Sequence, residues 1–207
     1  MFKRPQADIL ALIIATVTEY AGLFYWVQAV DKGQVALGIL IVVVGLLAER
    51  IAVYIGIRAV YGPHPPHPKI ALNLIISGLL ETVAWLIWLF IADSINAVLA
   101  AVILGLMILV LHSYQLGYFR RGKPFAYLTD PTTIVFSAME GIFAYYWLFY
   151  VRADVGLFTF GPVQTGAIIL FVGLLIEHIV QGRMLGKEDR PDRMLPVEDS
   201  VRQFQLG

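Results

Sequence analysis

Residues 70–92 read IALNLIISGLLETVAWLIWLFIA, an unbroken apolar run with one acid, Glu81, at its middle. A run of this length crosses about 30 Å of hydrocarbon as a helix, and a helix satisfies its own backbone polar groups where no water is present. Comparable runs cover 8–30, 34–60, 95–119, 131–153 and 163–185. They are separated by Asp31-Lys32-Gly33, GPHPPHPK from Gly62, Asp93-Ser94, RRGKPFAYLTDP from Arg120 and Gly161-Pro162, all turn-forming or helix-stopping residues. The sequence therefore predicts an all-α integral membrane protein, a bundle of six transmembrane helices.

Composition agrees. Of 207 residues 59% are hydrophobic and 14% charged, the net charge is zero and the mean hydropathy is +0.77. A soluble domain carries about 25% charged and about 45–50% apolar residues. A neutral chain has no basic footprint for nucleic acid, which excludes that partner class. The absence of cysteine excludes disulfides, thiolate metal sites and Fe–S clusters, so any bound metal uses oxygen or nitrogen ligands. The N-terminal MFKRPQADIL leads into a run containing Glu19 with no small-residue cleavage site after it, and reads as the first span rather than a leader.

Lys3, Arg4, Arg58, Lys69, Arg120, Arg121, Lys123, Arg183, Lys187, Arg190, Arg193 and Arg202 fall on one side of this topology, against Lys32 and Arg152 on the other. By the positive-inside rule both termini are expected in the cytoplasm. Residues 1–186 form the expected transmembrane domain, and 187–207 a polar cytoplasmic tail.

The odd helices share a pattern. Glu19, Glu81 and Glu140 are each followed seven residues later by tryptophan, at Trp26, Trp88 and Trp147, and then by Asp31, Asp93 and Asp154 near the helix ends. The even helices align through Gly45-Leu-Leu-Ala-Glu49, Gly105-Leu-Met-Ile-Leu109 and Gly173-Leu-Leu-Ile-Glu177, and end at Arg58, Arg120 and Arg183. The middle copy lacks the acid but has His112 one turn later. These features predict three parallel two-helix repeats, 8–60, 70–119 and 131–185, packed with pseudo-threefold symmetry.

Seven residues is two helical turns with about 20° of drift, so each Glu and its Trp lie on one stripe, the indole about 10 Å nearer the outside. Glu19, Glu49, Glu81, His112, Glu140 and Glu177 then fall at one depth near the middle of the membrane. Of seven glutamates only Glu188 and Glu198 lie outside the bilayer. An ionisable group at the bilayer centre costs roughly 2.5–3.5 kcal/mol on the gentlest scale, so five there must face inward and share something positive. Arg50 is the one fixed cation nearby, and divalent metals or protons would supply the rest.

Carboxylates mixed with imidazole, from His112 and His178, suit Fe, Mn or Zn rather than a Ca or Mg cage. In kind, the set matches the carboxylate-bridged di-metal sites of four-helix bundles, without their Glu-x-x-His motif. The expected ligands are Glu19, Glu49, Glu81, His112, Glu140, Glu177 and His178, for one or two divalent transition-metal ions. A heme on His112 and His178 would leave five glutamates unexplained. Thr16 and Ser137 at i−3, and Ser77 at i−4, are candidates to orient the carboxylates, with Arg50 as a local counter-charge and Trp26, Trp88 and Trp147 as a lid. The competing reading for the hydroxyls is back-bonding to helix carbonyls, and for the indoles an interfacial belt. Tyr20 and Tyr145 lie near the acid layer. Gly38, Gly45, Gly166 and Gly173 are read as close-packing positions, and His64 and His67 as part of a stiff polyproline linker.

Three function classes fit: a membrane metal centre acting as an oxidoreductase on a lipid or quinone, a cation or proton translocator, and a structural subunit of a larger complex or homo-oligomer. Membrane lipids are the expected surroundings in each case. Against transport, no span is interrupted by proline, whereas midplane transport sites typically use broken helices.

Overall fold

The computed structural model describes the backbone of residues 4–61, 68–121 and 125–186, with side chains over 10–53, 55, 72–116 and 125–180. The expected tail, 187–207, and His64 and His67 lie outside the described residues. Six helices make up the described chain: α1 (Arg4–Asp31), α2 (Val35–Tyr61), α3 (Pro68–Ser94), α4 (Ala97–Arg121), α5 (Pro131–Arg152) and α6 (Pro162–Gly186). All six are long and apolar enough to cross a membrane, which makes this a multi-pass membrane protein.

Local chemistry fixes the ends. Proline opens α3, α5 and α6, where its missing N–H is no loss. Asp130 caps α5 by accepting from Thr133 N at 2.9 Å, and the Asn96 side chain accepts from Val98 N and Leu99 N ahead of α4. At the end of α1, Gly33 adopts φ +76°, donating to Val30 O while Gln34 donates to Ala29 O. That pair of bonds is a Schellman stop, and glycine holds its left-handed position without strain.

Each helix packs on its neighbours in sequence, and α6 returns to pack on α1, so the six close into a ring. The packing of α1 on α2 depends on Gly22 and Gly45: a Cβ on Gly45 would stand 2.5 Å from Gly22 Cα. Gly45 was expected as a packing position, whereas Gly22 emerges only from the structure.

Polarity is inverted relative to a water-soluble bundle. Leu40, Ile51, Phe90 and Leu106 are each more than half exposed on the outside, while Glu, His, Ser and Thr side chains are buried in the interior beside Trp, Leu and Ala. Such an apolar exterior is the signature of a surface solvated by lipid.

Candidate metal centre

Every helix sends a polar side chain into the ring. Glu19 comes from α1, Glu49 and Arg50 from α2, Glu81 from α3, His112 from α4, Glu140 from α5, and Glu177 and His178 from α6. All eight are between 1% and 6% exposed. Since neighbouring helices are long and unbroken through this level, the donors sit on fixed scaffolding.

The seven expected ligands do not form one equivalent layer. His112, Glu140 and Glu177 offer donor atoms that lie within 4.8 Å of one another, and Glu19, Glu81 and Glu140 do the same. Glu140 therefore belongs to both triads. Glu49, expected as a ligand beside the others, and His178, expected as a weaker one because it points about 100° away from Glu177 on its helix, are in neither triad. His178 Nε2 lies 3.5 Å from Glu19 Oε2 and 3.4 Å from Glu49 Oε1, beside the second triad. In the first triad His112 Nε2 is 3.0 Å from Glu177 Oε1.

The hydroxyls serve different partners from those expected. Thr16 Oγ1 donates to Leu12 O at 2.9 Å, leaving its lone pair facing His178 Nδ1 at 3.2 Å, and that nitrogen also lies 2.9 Å from Leu174 O. Two acceptors around Nδ1 place the proton there and leave Nε2 turned to the carboxylates. Ser137 Oγ likewise meets His112 Nδ1 at 3.0 Å. Thr16 and Ser137 thus orient imidazoles rather than the glutamates on their own helices. Ser77 does neither: it donates to Leu74 O at 3.0 Å, the back-bonding expected of a serine within a helix.

Arg50 pairs with both Glu49, through Nε at 3.0 Å, and Glu81, through Nη2. That local pairing was one of the two expected fates, the other being extension toward the cytoplasm. Even so, five buried carboxyls face one guanidinium and two imidazoles. Glu140 meets the Glu177 carboxyl, and among the described residues no N–H or cationic donor reaches either of its oxygens or Glu19 Oε1. Buried acceptors without donors are costly and rare, and a proton or a bound cation would satisfy these.

Toward the C-terminal ends of the odd helices, beyond the acids, lies an indole group that the repeat pattern located incompletely. Trp88 and Trp147 stack with centroids 5.8 Å apart, and Trp85 packs edge-on to Trp88 at 5.3 Å. Trp85 falls outside the seven-residue spacing, but its position one turn beyond Glu81 on α3 was the available signal. Trp26 is equally buried, beneath Gly38, where an added Cβ would meet Trp26 Cδ1 at 3.1 Å. All four indoles are at most 1% exposed. Their burial departs from an interfacial belt, which would set the rings at the lipid surface. Tyr20 packs on Phe24 and Phe171, and Tyr145 on Phe149. Of the three repeated aspartates, Asp93 pairs with Arg152, while Asp31 and Asp154 are exposed.

Comparison of the chain with protein-family models, with curated proteins and with solved structures finds no match.

Proposed function

We propose that this multi-pass membrane protein holds a carboxylate/His metal centre with two ion positions, bridged by Glu140. The first position uses His112, Glu140 and Glu177, and the second uses Glu19, Glu81 and Glu140. The observation that carries the reading is Glu140 itself, whose carboxyl belongs to both triads, meeting Glu177 in one and Glu19 and Glu81 in the other. A carboxylate shared by two donor groups is the natural bridge between two cations. The mixed oxygen and imidazole set suits Fe, Mn or Zn.

The chemistry we assign is redox turnover of a hydrophobic substrate, a lipid, isoprenoid or quinone, reaching the centre from the membrane. The buried indoles close one side, and a hydrophobic substrate would enter from the lipid phase between helices. Three parallel hairpins related by an approximate threefold axis would account for one donor-bearing stripe per helix. Both termini are assigned to the cytoplasm on the Lys and Arg distribution. Membership in a larger complex or homo-oligomer is compatible with the same centre.

The test is metal content. The full chain is purified in mild detergent without chelator or metal-affinity tag, and bound metals are counted by inductively coupled plasma mass spectrometry beside E140Q. Transition metal in the wild type, lost in E140Q, supports the centre. A metal-free wild type sinks it and favours proton translocation by the same glutamates, which a liposome flux assay would then measure.

A further inference from the structure

The two triads differ in one respect that the donor count hides. Arg50 leaves α2 and ends on α3, its stem lying against Gly78, where an added Cβ would stand 3.1 Å from Arg50 Cγ. The missing side chain opens the passage that the arginine uses. Beyond it the guanidinium contacts Glu81, a donor of the second triad, while Nε stays on Glu49 at 3.0 Å. Within the first triad the ion-pair contact is internal, His112 Nε2 to Glu177 Oε1 at 3.0 Å, and Arg50 forms its own pairs with Glu49 and Glu81.

A guanidinium does not give up its proton in a protein, so this charge is permanent. A divalent ion entering beside Glu81 meets like-charge repulsion at a few ångströms, undiminished by bulk water. An ion entering beside Glu177 does not face it at contact distance. Glu49 neighbours Arg50 on the same helix and already holds Nε, so the arm keeps a partner if it lets Glu81 go. His178 Nε2, 3.5 Å from Glu19, is the imidazole on hand to complete the second position.

We infer that Arg50 is a tethered counter-cation competing with metal for Glu81, so that the two positions load in order, His112/Glu140/Glu177 first. This rests on the metal-centre reading above and adds the rule by which the centre fills. One ion binds while Arg50 remains on Glu81. The second binds when the guanidinium moves onto Glu49 alone. Under metal limitation the centre is then mononuclear, and the pair forms only at higher metal activity.

The experiment is a Mn2+ titration of the metal-free full chain in detergent, followed by electron paramagnetic resonance, for wild type, R50M and R50K. Isolated Mn2+ and a spin-coupled pair give distinct spectra. The wild type should show an isolated bound ion first, and coupled pairs only at Mn2+ concentrations at least about tenfold higher. R50M, which keeps the stem and removes the charge, should bring the two steps together, while R50K, which keeps the charge, should leave them apart. Coupled pairs from the first addition in wild type overturn the ordering without needing any variant. A well-folded R50M, judged by helix content and size exclusion, that keeps the wild-type separation of steps overturns the role of Arg50. No Mn2+ bound by any of the three chains overturns the metal centre itself, and is a different result from either.

Discussion

His112 on α4 and Glu177 on α6 meet at 3.0 Å, although α5 lies between their helices in the ring. The contact crosses the interior and ties together two helices that share no strong seam. Removing one partner of a buried pair costs roughly 3–5 kcal/mol where the other is left uncompensated, and less where other charged groups, as His178 and Arg50 for Glu177, act on it. H112L should therefore lower the stability of the metal-free protein by up to about that amount. The double variant H112L/E177L should recover most of it, as thermal unfolding in detergent would show.

Substitutions at Glu140 and Glu81 would tell the two proposed ion positions apart. E140Q should abolish binding of both ions, since each triad includes it. E81Q should spare the first and remove the second. Metal counts per chain after equilibration with excess Mn2+ give the answer, and E81Q losing all metal would contradict the assignment of Glu81 to the second position only.

Thr16 and Ser137 hold Nδ1 of His178 and His112. Hydroxyls that orient a ligating imidazole are typically worth 10–100-fold in metal affinity. S137A should weaken the first ion by about that factor and T16V the second, measured by competition against a chelator. S77A, which removes a bond only to Leu74 O, should change neither.

Gly22 and Gly45 set the distance between α1 and α2. G45A forces a methyl group against Gly22 Cα and should destabilise the bundle by about 1–3 kcal/mol, the usual cost of overpacking. An unfolding midpoint at or above that of the wild type would show that the helices separate freely there.

Asp93 and Arg152 form an ion pair at the helix ends, with both side chains about 40% exposed. Pairs in contact with solvent contribute about 0–1 kcal/mol. D93N and R152Q should accordingly unfold within about 1 kcal/mol of wild type, in contrast to any change at His112 or Glu177.

Much of this was legible from spacing alone. The six spans follow from hydrophobic length, and the helix ends fall within a few residues of those read from Gly, Pro and Asp. The inward aim of the glutamates follows from their cost in lipid. What spacing cannot convey is rotation across the ring. Glu49 and Glu177 occupy corresponding places in their helices, yet Glu177 joins a triad while Glu49 turns to Arg50 and His178, because partners on other helices decide the matter. Thr16 and Ser137 were tied to the nearest acid on their own helix, when the acceptor each serves comes from a helix distant in sequence. Trp85 escaped because the repeat drew attention to a seven-residue interval and not to the face of α3.

The donors of each triad are spread over three helices that enter the membrane at different times. The second triad draws on α1, α3 and α5, and the first on α4, α5 and α6. A nascent chain that has inserted four helices therefore contains Glu19, Glu49 and Glu81 with Arg50, but no complete ion position. Arrival of α5 brings Glu140 and completes the second triad, and α6 brings Glu177, which completes the first around the His112 already present on α4. Until then Arg50, paired with Glu49 and Glu81, is the one fixed cation among the early acids, so the side chain proposed to order metal loading is also the first counter-charge those acids meet.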